Sequence, residues 1–153
     1  MRQLKFRVWD KLEKRFIYPD KGYQGHYVLS LDGKFHNLQN GSGGDEYVVQ
    51  QYTGIKDSEQ VDIYEGDVIE FERKDERCIA HIFYHDAFVV TGNSEEGTFV
   101  YAYLHDLVNY IYKMKIKVIG NTFELPCNPD HNGECLVCDE PLDGCPLNKK
   151  ENE

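Results

Sequence analysis

Near the start of the chain Leu4, Phe6 and Val8 alternate with Lys5 and Arg7, a period of two that predicts a half-buried strand over residues 3–9. Phe16, Ile17 and Tyr18 predict a second short strand. The turn formers Pro19, Asp20, Lys21 and Gly22 stop it, so the two read as a hairpin. His26 to Leu31 and Phe35 to Leu38 predict a further pair around the Asp32-Gly33 turn. Strand patterns rich in β-branched and aromatic residues resume at residues 47–52, 67–72, 78–84, 88–90 and 98–101. Tyr103 to Tyr112 is the one stretch with helical character, and residues 116–121 predict a last strand with a Gly-Asn stop. The pattern therefore predicts a mainly β fold, antiparallel and barrel-like, with one short helix.

Composition narrows the functional classes. With 153 residues the chain has room for one ordinary domain and a small appendage, and needs no disulfide or metal to have a core. A net charge of -10 disfavours non-specific binding to a phosphate backbone. No apolar run approaches the roughly 18–20 residues of a bilayer helix, and the charged amino terminus does not resemble a secretory signal. These features imply a cytoplasmic address, where thiols stay reduced. The 11 tyrosines exceed what a core of this size requires, and Tyr suits surfaces that meet, so self-association is one use for the excess; lining a barrel with hydroxyls in water is the other.

Gln51-Tyr52-Thr53-Gly54-Ile55-Lys56-Asp57 is followed by Ile63-Tyr64-Glu65-Gly66-Asp67-Val68-Ile69. Phe6-Arg7-Val8-Trp9-Asp10 stands before them, and Val118-Ile119-Gly120-Asn121-Thr122-Phe123-Glu124 after. In this order the four motifs resemble the YopX family, encoded mainly by bacteriophages and prophages. The resemblance implies a mostly β fold, a tendency to self-associate, a phage setting and no assigned reaction. It supplies no catalytic residues. Physically, Tyr64-Glu65-Gly66-Asp67 reads as a tight turn opening a hairpin of an SH3-like barrel, with Asp67 capping local amides.

Composition changes sharply after Leu125. We expect a β domain over residues 1–124 and a separate acidic, cysteine-rich tail over residues 125–153. From Glu124 onward there are eight acidic and two basic residues. The tail holds Cys127, Cys135, Cys138 and Cys145. A Cys-x-x-Cys pair grips one ion from a tight knuckle, and two outer cysteines can close the tetrahedron that zinc prefers, with His131 as a substitute ligand. Few apolar residues are present to build a core there without such a staple. The second knuckle of a zinc ribbon is missing, so reduced thiols, two disulfides and an iron–sulfur cluster stay as competing readings.

Elsewhere the candidate chemistry is thin. His81, His85 and Asp86, with His105 and Asp106 later, invite comparison with phosphohydrolase metal sites. On a strand, however, positions 81 and 85 lie about 13 Å apart, too far for one ion. Cys78 stands alone and reads as core. Residues 40–45, Asn-Gly-Ser-Gly-Gly-Asp, lack the lysine and hydroxyl of a nucleotide loop and read as an exposed linker. No nucleophile elbow, zinc-protease helix or kinase signature occurs.

The expectation from sequence is a non-catalytic, homo-oligomeric phage or prophage protein that binds a host protein. An oligomeric binder that sequesters a nucleotide signal is the alternative, and a metal-dependent hydrolase using His81 and His85 a weaker one.

Overall fold

The computed structural model describes residues 4–19, 26–94, 99–110 and 114–124. Among the described residues eleven strands follow one another, with a 3-10 turn at Gly44–Glu46 and a helical segment at residues 104–110 whose last five residues form a π turn. The protein is mainly β and antiparallel. The chain divides into two compact units, Met1–Gly54 and Ile55–Glu153.

The first unit is built on β1 (Phe6–Asp10), β2 (Arg15–Ile17), β3 (Tyr27–Leu29), β4 (Phe35–Asn37) and most of β5 (Tyr47–Lys56). β1 lies between β2 and β5, antiparallel to both, with Val8 opposite Ile17 on one side and Val49 on the other. This register puts the alternating apolar residues on one face, where Val8, Ile17 and Phe35 are buried and Tyr27, Tyr47 and Val49 pack against them. The opposite face carries Arg7, Trp9 and Gln50, all buried. Arg7 Nε donates to Gln50 Oε1 at 2.8 Å, and its guanidinium lies 4.3 Å from the centre of the Phe16 ring. The glycine-rich segment after β4, expected as a plain linker, is pinned. Asn40 Oδ1 accepts from Ser42 N and Oγ, Ser42 Oγ meets Tyr47 Oη at 2.8 Å, and Gly43 bridges to His36.

The second unit contains the end of β5, then β6 (Asp62–Tyr64), β7 (Asp67–Arg73), β8 (Glu76–Tyr84), β9 (Phe88–Ser94), β10 (Phe99–Tyr103) and β11 (Lys117–Asn121). Five of these strands form a curled antiparallel half-barrel in the order β10-β9-β8-β7-β11. One face supplies the core: Ile69 and Phe71 from β7, Cys78, Ala80 and Ile82 from β8, Val90 and Val100, joined by Ile63, Leu104, Leu107 and Ile116. The short helical segment falls within the stretch expected to be helical and contributes Leu104 and Leu107 to this core. β7 and β8 are joined through Lys74 and Asp75, whose φ angles of 53° and 65° belong to a two-residue hairpin turn of the primed type. Gly92 on β9 faces Ala80 so closely that a Cβ there would collide with the Ile79 carbonyl oxygen and the Ala80 Cα. Only glycine permits that approach.

Candidate functional site

The residues that carry the four sequence motifs are used mainly to hold backbone. Asp67 is 1% exposed; its Oδ2 accepts from Tyr64 N at 2.7 Å and its Oδ1 from Asn121 Nδ2 at 3.4 Å. Gly66, at φ 76°, turns the chain between Tyr64 and Asp67, donates its N–H to the Ile82 carbonyl and accepts Thr122 N–H. Two motifs 50 residues and more apart in sequence thus meet at one turn, which is the tight turn and cap expected of Tyr64 to Asp67. Asp57 does similar work: Oδ1 accepts Glu59 N and Val61 N, both at 2.8 Å, and Oδ2 accepts Val118 N at 3.0 Å. Asp10 Oδ1 accepts Leu12 N and Glu13 N in the β1–β2 turn. Sequence reading found the Asp67 cap but not the link from Asp57 to Val118, because that partner lies 61 residues away.

The histidines do not converge. His81 is half-buried on β8, opposite Val68 and Thr91, with its ring 5.8 Å from that of Phe83. His85 is exposed beyond the strand, its Nδ1 3.3 Å from Asp86 Oδ1. That hydrogen bond holds the Asp86 carboxyl below its ordinary pKa. His105 pairs with Asp106 at 3.7 Å on the helical segment. Among the described residues no three His, Cys, Asp or Glu side chains come together as metal ligands. Cys78 is buried, as its strand position predicted, and its Sγ lies 3.8 Å from the Glu76 carbonyl oxygen. Cys127, Cys135, Cys138, Cys145 and His131 lie outside the described residues.

Two of the concave surfaces among the described residues bear on function. In the first unit a cavity of about 340 Å³ opens on the apolar face, walled by Phe6, Val8, Tyr27, Phe35 and Val49 and rimmed by Leu4 and Leu29. It is at the lower end of small-ligand sites, which span ~300–1,000 Å³. In its wall Tyr27 and Phe35 stack on one another with ring centres 5.0 Å apart. Lys5 borders the cavity, but its ammonium lies 5.9 Å from the centre of the Tyr52 ring, on the face that strand alternation turns away from Phe6 and Val8. The cavity is lined mainly by apolar side chains, with Lys5 at its border. In the second unit a groove of about 410 Å³ is lined by Glu70, Glu72, Asp75, Arg77, Lys115 and Lys117. Two of its cations are paired: Arg77 with Glu70, and Lys117 with Glu59 outside the groove at 2.9 Å. The latter pairing raises the Lys117 pKa.

The exposed large apolar residues divide in the same way. Leu4, Leu12, Val28, Leu29, Leu31 and Leu38 belong to the first unit, while the second shows mainly Tyr84, Tyr101 and Tyr103. Charge divides more sharply: eight Lys and Arg stand against six Asp and Glu up to Gly54, and nine against 21 after it.

The model of one protein family, described as YopX protein, matches residues 5–128. A solved structure of the protein yopX from Bacillus subtilis is similar with a TM-score of 0.54 and 16% identity, over 82% of this chain and 96% of that one. Protein EF1440 from Enterococcus faecalis gives a TM-score of 0.47 and 24% identity, over 81% and 96%. At such identity the likeness to the first of these is one of fold. No curated protein matches the chain.

Proposed function

We propose a function from the premise that this chain belongs to the YopX family: it is a non-catalytic, homo-oligomeric phage or prophage accessory protein that binds a host protein in the cytoplasm. The observation that carries this reading is the set of exposed aliphatic residues in the first unit, two of which, Leu4 and Leu29, rim an apolar cavity. Exposed apolar surface next to a pocket is what a partner's anchor side chain requires. The strongly acidic second unit favours a partner with basic character, through steering more than affinity.

Capture from host lysate tests the reading by comparing the native chain with a Leu4→Asp/Leu29→Asp variant whose circular dichroism is unchanged. A host protein held by the native chain and depleted at least ~10-fold on the variant supports it, a loss of about 1.4 kcal/mol. Absence of any captured protein at low salt counts against it.

The cavity also supports a second reading, sequestration of a small molecule. Its walls favour an apolar ligand over a nucleotide, since most of the side chains that line it are apolar. Calorimetry with a panel of nucleotides and apolar metabolites separates the two.

The cysteine spacing supports a structural zinc in the tail, held by Cys127, Cys135, Cys138 and Cys145. Protein purified without chelator is expected to carry about one equivalent; less than ~0.3 would overturn the assignment.

A further inference from the structure

The half-barrel of the second unit has two edges, and they are finished differently. β11 carries Lys117, and its register against β7 slips between Val118 and Gly120, a bulge that bends the strand. Its backbone is also covered. Val118 N donates to Asp57 Oδ2, and the Ile116 carbonyl just before the strand accepts both Ser58 N and Ser58 Oγ at 2.9 Å. A lysine, a bulge and a covering loop are the devices by which proteins block edge-to-edge pairing.

Among the described residues β10 shows none of them. Phe99–Tyr103 contains no charge, no proline and no glycine, and its register against β9 is unbroken over five residues. Among the described residues it makes no backbone hydrogen bond beyond that ladder. Tyr101 and Tyr103 share one face and are 57% and 42% exposed.

We infer that β10 is the self-association edge of this protein, and that its occupant is β10 of a second copy, paired antiparallel about a two-fold axis near Tyr101. A second copy is favoured because the strand is uncharged along its length. Pairing with itself sets no like charges opposite one another, although each second unit is strongly acidic. Centring on Tyr101 places that residue opposite its own copy and Tyr103 opposite position 99 of the partner. Tyr101 therefore meets Tyr101 of the other copy across the new ladder, each with a polar tip for water, and the contact is isologous. This inference rests on the homo-oligomeric part of the proposal above and names the surface responsible.

The test is the mass of the full-length chain by sedimentation across a range of concentrations, for the native protein, a Tyr101→Lys/Tyr103→Lys variant and a Tyr84→Lys control. Tyr84 is 53% exposed but lies on β8, away from this edge. All three positions are exposed enough for lysine to leave the fold intact. The expected result is an assembly whose dissociation constant rises at least ~10-fold in the double variant and is unchanged in the control. A benzophenone amino acid in place of Tyr101 should cross-link to residues 99–103 of another copy. A native chain monomeric at every concentration overturns both this inference and the homo-oligomer reading. An assembly indifferent to both lysines, or cross-links that map elsewhere, overturns the inference and leaves homo-oligomerisation standing.

Discussion

The two units solve the problem of a small β core in opposite ways. The second closes eleven buried residues inside a curled sheet and leaves a surface that is mainly charged or tyrosine. Among its described residues the first has Val8, Ile17 and Phe35 enclosed in its apolar cluster, keeps a buried polar layer around Arg7 and Gln50, and leaves six aliphatic side chains in water. A two-stranded hairpin such as β3–β4 has little stability of its own and depends on Phe35 for its anchorage. The difference teaches that enclosed core and exposed aliphatic surface are segregated. The unit richest in core has the larger apolar cluster to stabilise its fold, and the unit poorest in it carries most of the exposed aliphatic side chains.

The largest test of that division is Ile82→Ala in the second core, expected to cost about 2–5 kcal/mol in urea unfolding. Asp67→Ala, in the same unit, removes the acceptor of Tyr64 N–H and of the Asn121 amide. It is expected to cost about 1–3 kcal/mol, and a neutral result would mean that the motif turn is not held by this carboxylate. Val8→Ala in the first unit should cost only about 1–2 kcal/mol, from the apolar area removed. A loss matching that of Ile82→Ala would erase the contrast. Asp75→Gly should raise stability by about 0.5–1 kcal/mol, because glycine fits the left-handed backbone at no steric cost.

The smallest effect is local and belongs to the first unit. A hydrogen bond from Ser30 Oγ holds the exposed Asp32 carboxyl below its usual pKa, aided by the Lys34 backbone and charge. A lowered folded-state value means the contribution is complete above the ordinary carboxylate pKa and disappears as pH falls through the depressed one. Amide protection at Lys34 should therefore fade only in strong acid, read by hydrogen exchange along an acid titration. Loss near neutrality would exclude Asp32 as the cause.

Much of this fold is legible in the chain because each strand has one face to bury. Leu4 to Val8 and Cys78 to Ile82 alternate plainly, and Asp32-Gly33 marks its turn. β6 escapes notice because Asp62–Tyr64 is three residues long and its partner pattern is supplied by β5. β5 runs beyond Tyr52 through Gly54, whose φ of 87° reads in sequence as a break. β8 begins at Glu76, earlier than alternation shows, because Glu76 and Arg77 pair across the hairpin with Arg73 and Glu72 rather than with a core. The cavity was illegible for a different reason. Its walls come from residues 6–8, 27–35 and 49, and only the register of β1 with β5 and the fold-back of β4 bring them together. Charge segregation, by contrast, is written in the sequence but becomes visible only once Gly54 is known to end a unit.

The covered edge at β11 decides where growth stops. With Asp57 holding the Val118 amide, Ser58 the Ile116 carbonyl, and a bulge in the strand, that side is a poor template for a further strand, so an assembly joined through β10 alone closes at two half-barrels. A sheet open at both ends would instead add copies without limit, toward fibrils.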